Sequence, residues 1–211
     1  MDSSFAHKCL IINQAKEIFF SAIAPYRSTN STFKGMLQEL ELTDVELKST
    51  KKDDRSAFYV RPLDMSAFLG SVFVLASKNG QKKKIISNPI PNKSQHASLS
   101  DSFWKADFSF EQCFRTEDSK FIIINHDSEF DIEKAWASYL KQPNDMHCPE
   151  LAPGGSYIYS DGKVYSKNIG LPFNKQAVLE IIEIATILSR DTPEQLNTDG
   201  IKKQLNLKYK N

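Results

Sequence analysis

The sequence lacks the short signatures that announce common chemistries. Its three cysteines, Cys9, Cys113 and Cys148, lie far apart and include no C-x-x-C pair, which removes both the paired spacing of a structural zinc site and the dithiol of a redox motif. An odd and scattered cysteine set fits a reducing compartment, so a cytoplasmic protein is expected. No run approaches the roughly 18 uninterrupted apolar residues of a membrane-spanning helix. Gly154-Gly155 and the isolated Gly70 compose neither G-x-G-x-x-G nor the P-loop pattern, so no phosphate cradle is written and no cofactor is expected. Ser102 and Ser156 do not sit in G-x-S-x-G, no H-E-x-x-H occurs, and there is neither an internal repeat nor an extended low-complexity segment.

Charge of one sign is missing as well. Lys and Arg number 27 against 26 Asp and Glu, a net charge of +1, so the chain as a whole has no field to steer it onto nucleic acid or an anionic membrane. What is present is the composition of an ordinary globular protein: 40% hydrophobic and 25% charged residues over 211 positions, enough to bury one sizeable core. A single α+β domain over residues 1–211 is the expectation.

The N-terminal stretch after Lys8 ends in Ala22-Ile23-Ala24, which superficially resembles a leader cleavage site. Asn13, Gln14, Lys16 and Glu17 interrupt the apolar run and Pro25 would follow the cut, so the segment reads as a helix and not as a signal peptide. Phe5, Cys9, Ile12, Phe19 and Ile23 recur at helical spacing between about Ser4 and Ala24, with Lys8, Lys16 and Glu17 on the polar side. After Pro25, Ser31 or Thr32 is placed to cap a second helix carrying Phe33, Met36, Leu37 and Leu40.

From Leu42 the period changes to two. Val45 and Leu47, then Phe58 and Val60, predict a hairpin that ends or reaches an edge at Pro62. The β-branched and aromatic run Phe68–Leu75 and the segment Lys84-Ile85-Ile86 predict a second hairpin around Asn79-Gly80. Residues 87–102 form the longest breaker-rich stretch, the place where a subdomain boundary would fall. Trp104, Ala106, Phe108 and Phe110 alternate with polar neighbours and predict a strand, and Phe121–Ile124 a more central one. Ile132, Ala135, Trp136 and Leu140 predict a short helix from Phe130 to Leu140, with Asp127 or Ser128 as its cap. Tyr157–Tyr165 predicts a hairpin with a type I′ turn at Asp161-Gly162. Asn174 then caps a helix whose stripe of Val178, Ile181, Ile182, Ala185 and Leu188 is expected to cover a sheet face, while Glu180 and Glu183 face solvent. Thr192-Pro193-Glu194 predicts a short helix start, and the tail 199–211 is expected to be mobile.

These elements predict an antiparallel or mixed sheet of roughly six to eight strands with helices mainly on one face. Two residue sets bear on chemistry. His126-Asp127 and His147-Cys148 supply an imidazole, a carboxylate and a thiol, the parts of a cysteine nucleophile. Three cysteines and four histidines scattered through a chain also produce such neighbours by chance, and the same donors lack any regular metal-ligand spacing, so no metal is expected. Lys82-Lys83-Lys84 would suit phosphates, but lysines at a turn and strand end also serve to block edge pairing, and no nucleic acid is expected.

The order of elements from Phe108 onward, with F-S-F-E-Q-C-F at Phe108–Phe114, a strand, a short helix and S-Y-I-Y-S-D-G-K-V-Y, resembles that of uncharacterised bacterial membrane-associated domains. The likeness covers under half the chain, consists mostly of hydrophobic pattern and brings no catalytic residues. The functional expectation is therefore a noncatalytic module that binds a protein partner or itself. The alternative is a hydrolase or transferase with a Cys/His site in the 126–148 region.

Overall fold

The computed structural model describes residues 3–90, 105–152, 154–190 and 198–209, which form two compact units. One comprises Met1–Leu40 with Pro143–Asn211, the other Glu41–Gln142. The fold is mixed α+β, with one sheet of eight strands and a second of two.

Among the described residues of the Glu41–Gln142 unit, the regular elements are strands. They are β1 (Glu41–Glu46), β2 (Ser49–Lys52), β3 (Ser56–Val60), β4 (Met65–Lys78), β5 (Gln81–Pro89), β6 (Gln112–Glu117), β7 (Phe121–Asn125) and β8 (Asp131–Lys141). Their order is β1-β8-β4-β5-β6-β7-β3-β2, and only β5 and β6 pair in parallel. The two outermost strands are consecutive in the chain, separated by Leu47 and Lys48 alone. The Leu47 amide donates to Ala135 O on β8 at 2.8 Å, and Lys48 O accepts from the Val60 amide on β3 at 2.8 Å. A sheet whose first and last strands are one stretch of chain must curl back on itself. Irregular registers along β4 and β8, including one between Phe68 and Val72 where Gly70 lies, supply the bending.

Side chains fill the inside of the curl. Tyr59, Val72, Val74, Ile85, Ile122, Ile124 and Ile132 are buried among the small residues Ala57, Ala76, Ala135, Ala137 and Cys113, the mixture of large and small that a tight sheet interior accommodates. Burial lifts the Tyr59 phenol to about 12 and the Cys113 thiol to about 11 because the interior disfavours charge.

Two predicted elements of this unit change type. The helix expected over Phe130–Leu140 is strand β8, laddered to β1 on one side and β4 on the other. Ile132, Ala135, Trp136 and Leu140 satisfy a helical period, yet Ala135, Ala137 and Tyr139 satisfy a period of two, and the two ladders decide between them. Asp127 and Ser128 consequently cap no helix; they sit at φ 51° and 61° in the tight turn before β8. The strand expected over Trp104–Phe110 is also replaced, with Trp104 itself outside the described residues. Asp107 bridges to Gln112, its Oδ1 accepts from the amides of Ser109 (2.7 Å) and Phe110 (3.0 Å), and the chain turns there. Ala106 and Phe108 are buried, whereas Phe110 is 81% exposed. The hairpin at Asn79-Gly80 forms as predicted, with φ of 51° and 80°. In the first hairpin β3 pairs with β2, while β1 goes to β8. The 87–102 loop lies partly outside the described residues.

The second unit contains α1 (Ser3–Ile23), α2 (Ser31–Leu37), the hairpin β9 (Tyr157–Ile158) and β10 (Val164–Tyr165), α3 (Lys175–Arg190) and α4 (Thr198–Lys208). Asn30 caps α2, accepting from Thr32 and Phe33 amides, in place of the predicted Ser31 or Thr32. Asn174 caps α3 as predicted, accepting from the Ala177 amide at 2.9 Å. The helix α3, expected to cover a sheet face, packs against α1, as α4 also does; Ile181, Ala185 and Leu188 of the predicted stripe are buried, whereas Ile182 is 50% exposed. Glu180 is not solvent-facing: it is 8% exposed and receives Lys208 Nζ at 2.8 and 3.0 Å as well as the Tyr209 hydroxyl. The helix α4 runs through Asp199-Gly200, within the tail that was expected to be mobile, and the predicted start at Thr192–Glu194 lies outside the described residues.

The sheet interior is expected to carry much of that unit's stability. Ile122→Ala should lower unfolding free energy by roughly 2–5 kcal/mol, and Ile86→Ala, at a position on β5 that is 44% exposed, by under about 1 kcal/mol. Urea denaturation of the full chain checks both values.

Candidate functional site

On α1, residues Cys9, Asn13, Lys16, Phe20 and Ile23 follow one another at intervals of three or four, so all five share a face. All five are buried, Lys16 to 1% exposure and Asn13 to 4%. Two polar side chains in an otherwise apolar seam require partners, and the extended segment Pro143–Cys148 supplies them. Lys16 Nζ donates to Pro143 O at 3.2 Å and to Asp145 Oδ1 at 2.6 Å, and pairs with Glu17 Oε1 at 3.0 Å. Two hydrogen bonds and this ion pair satisfy the buried ammonium. Asn13 reads the backbone of Met146 in both directions: its Oδ1 accepts from the Met146 amide at 2.7 Å and its Nδ2 donates to Met146 O at 3.2 Å. Asn13 Nδ2 also donates to the Tyr159 hydroxyl at 2.9 Å.

His147 continues from this anchored segment into a cluster of three tyrosines. Its ring stacks on Tyr165 at 3.5 Å and 12°, meets Tyr159 edge-on at 4.7 Å, and shares a 2.7 Å hydrogen bond between Nδ1 and the Tyr157 hydroxyl. Its backbone exchanges hydrogen bonds with Ile169 in both directions. The hairpin that supplies the tyrosines turns through a three-residue loop, Ser160–Gly162, closed by a Tyr159 to Lys163 pairing with Gly162 at φ 78°. This is the three-residue hairpin geometry in place of the predicted type I′ turn. Asp161 Oδ2 accepts from the Tyr165 hydroxyl at 2.9 Å and holds that ring against the imidazole.

An open groove of about 540 Å³ runs along the outside of this arrangement. Leu10, Gln14, Glu17 and Ile18 of α1 form one wall, Leu188 of α3 contributes to another, and Asn13, Asp145, Tyr159 and Ser160 complete it. Asp145 and Glu17 keep 44% and 49% of their side chains exposed.

The residues singled out in the sequence distribute between the units. His126 and Asp127 belong to the sheet unit, His147 and Cys148 to the helical one. His126 is 6% exposed, lies near the Phe130 ring, and its Nδ1 has no hydrogen-bond partner among the described residues. Asp127 Oδ2 accepts from the Ala106 amide at 3.2 Å. Cys148 is partly buried, and burial, then the neighbouring Cys9 and Glu150, push its thiol above the ordinary value. Lys82 pairs with Glu133 at 2.7 Å, Lys83 with Glu111 at 3.3 Å, and Lys84 lies 4.4 Å from the centre of the Phe73 ring. Among the described residues, no three His, Cys, Asp or Glu side chains converge as metal ligands. No described helix is long and apolar enough to cross a membrane.

Lys16, Asn13 and the groove were missed from sequence because Lys16 reads as part of a polar side. The signal was available in the spacing from Cys9 to Ile23, which places both polar residues inside the apolar stripe. No protein-family model matches the chain, and no curated protein matches it either.

Two expectations follow for the titratable groups. Burial lowers both His126 and His147 below the ordinary 6.5, so the unfolded chain takes up protons first as pH falls. Stability should be fully present above about pH 6.5 and decline as pH drops through the lowered folded values. Urea midpoints measured across that range check this, and His126→Gln should flatten the decline. For Cys148, alkylation by iodoacetamide followed by peptide mass spectrometry should be slower at neutral pH than for an exposed cysteine in a short peptide, since the thiolate is the reacting form.

Proposed function

We propose that this chain is a noncatalytic protein-binding module whose contact surface is the groove along α1. The observation that carries this reading is the groove itself: aliphatic walls beside a few polar groups, on a floor already fixed by hydrogen bonds. Binding sites of this kind combine apolar area with a small number of placed polar atoms, and pre-ordering of the floor reduces the entropy lost when a partner docks. Asn13 and Lys16 use their hydrogen-bonding capacity internally, so they shape the surface and leave recognition to the groups at its rim.

Reaction chemistry at the 126–148 region is the weaker reading. A nucleophilic thiol needs a lowered pKa or an adjacent base, whereas burial raises Cys148 and the Nδ1 atom of His147 is engaged by Tyr157. Lys82 and Lys83 of the lysine turn likewise pair with Glu133 and Glu111.

The test is a photo-crosslinking residue introduced at Gln14, an exposed position on the groove wall, in the full chain within its native cells. A discrete covalent adduct is expected there and not with the same residue at the exposed Ser119 of the sheet unit. Adducts of equal yield at both positions, or none at Gln14, would remove the groove as a protein-binding surface.

A further inference from the structure

Two of the three free cysteines belong to the helical unit, Cys9 on α1 and Cys148 at the end of the segment that α1 holds. Their register follows from the hydrogen bonds described above. Lys16 bonds Pro143 O and Asp145, and Asn13 bonds Met146, so the segment runs antiparallel to α1. From Asn13 back to Cys9 is four helical residues, a rise of about 6 Å. From Met146 on to Cys148 is two extended residues, roughly 6–7 Å. The steps match, so Cys9 stands opposite Cys148, one turn beyond the Asn13 clamp. Tyr157 fixes the same juxtaposition from the other side. Its ring meets Phe5, one turn before Cys9, at 5.3 Å, and its hydroxyl bonds Nδ1 of His147, next to Cys148, at 2.7 Å. The two thiols also act on each other and on that hydroxyl. After burial, Cys9 is the largest cause raising the Cys148 thiol; after burial it is again Cys9 that raises the Tyr157 phenol, with Tyr159 and Cys148 adding to it. Cys113, fully buried inside the sheet of the other unit, has no part in the pair.

We infer that Cys9 and Cys148 are a redox pair, open as thiols in reducing surroundings and closed to a disulfide in the folded chain when a small-molecule disulfide serves as oxidant. The pair stands apart from the groove's role as a binding surface. Cys148, the more accessible of the two, reacts first. It loses its proton to solvent, its sulfur attacks one sulfur of the oxidant, the oxidant's S–S bond breaks, and one small thiol leaves with a proton. Cys9 Sγ then attacks Cys148 Sγ in the mixed disulfide, and the second small thiol leaves with the Cys9 proton. Two cysteines are oxidised and one small disulfide is reduced to two thiols, so electrons and protons balance. Burial slows the first step by raising the Cys148 thiol, whereas the held register speeds the second, because the attacking sulfur is already in place. A disulfide spans Cα atoms about 4.4–6.8 Å apart, a reach comparable with that of the Asn13 side chain to the Met146 backbone. The bond adds a covalent tie at the turn before Asn13, on the segment that Asn13 and Lys16 already hold.

The experiment incubates the full chain, folded and reduced, with oxidised glutathione, quenches with acid, then denatures it and labels with N-ethylmaleimide before peptide mass spectrometry. The expected product is a monomer that labels at Cys113 alone, with one cross-linked peptide joining Cys9 to Cys148. In urea the same bond should form about tenfold more slowly or worse, since the register that holds the sulfurs together is then lost. Helix circular dichroism should give the oxidised chain a higher urea midpoint than the reduced one, a difference that Cys148→Ser abolishes. The mapping uses the unsubstituted chain, so it does not depend on any variant folding. Three labelled cysteines, glutathione retained on Cys148 with Cys9 still a thiol, pairing with Cys113, or Cys148-linked dimers as the main product overturns the inference. So does a bond that forms as fast in urea as in buffer, or a midpoint no higher after oxidation, because either result means that the fold does not hold the two sulfurs together.

Discussion

A buried ammonium in an apolar helix seam organises much of the helical unit. Lys16 has almost no access to water, so it must be satisfied by protein groups, and an isolated charge in such a place would cost several kcal/mol. The groups that satisfy it come from Pro143 and Asp145, more than a hundred residues along the chain. Asn13 repeats the device one turn earlier with the backbone of Met146. Together they hold the segment that follows β8 along α1, and they deliver His147 to the tyrosine cluster and Asp145 to the groove. A hydrophobic contact would bury comparable area without specifying register; paired hydrogen bonds at two successive turns specify it.

The sheet unit solves a different problem. Its outermost strands are successive segments of one extended stretch, so the sheet curls to bring both its ends to that stretch, β1 laddered to β8 and β2 to β3. The interior has to be apolar, and small enough in places for opposing strands to approach, which accounts for alanines at 57, 76, 135 and 137 beside the isoleucines. Most lysines on the sheet's outer side that the sequence suggested as a phosphate-binding patch stand opposite carboxylates or aromatic faces, which is the arrangement of a balanced surface rather than of an electrostatic trap.

Several elements were legible before any coordinates because their signals are local. Asn79-Gly80 requires positive φ angles wherever it occurs, and Asn174 ahead of an apolar stripe offers its side chain to the free amides of a helix start. Strand β8 was misread because alanine, isoleucine and tryptophan at 132–136 satisfy both periods, and what separates them is the presence of β1 and β4 on either side. The Trp104–Phe110 alternation was likewise genuine in burying Ala106 and Phe108, but the side chain of Asp107 bends the backbone after them. Lys16 shows the same limit at the site: charge placed it on a polar face, although its spacing from Cys9 and Ile23 set it on the buried one.

From the residues alone come the mixed α+β class, the helix at 174–190, two of the hairpins and the want of any familiar reaction motif, since each depends on periodicity, turn stereochemistry or spacing within a few positions. Folding in three dimensions chose the strand order, the conversion of 131–141 to β8 and the meeting of α1 with 143–148. Those outcomes are fixed by which distant backbone amides, carbonyls and charges satisfy one another once water is excluded, and a linear pattern carries no record of that pairing.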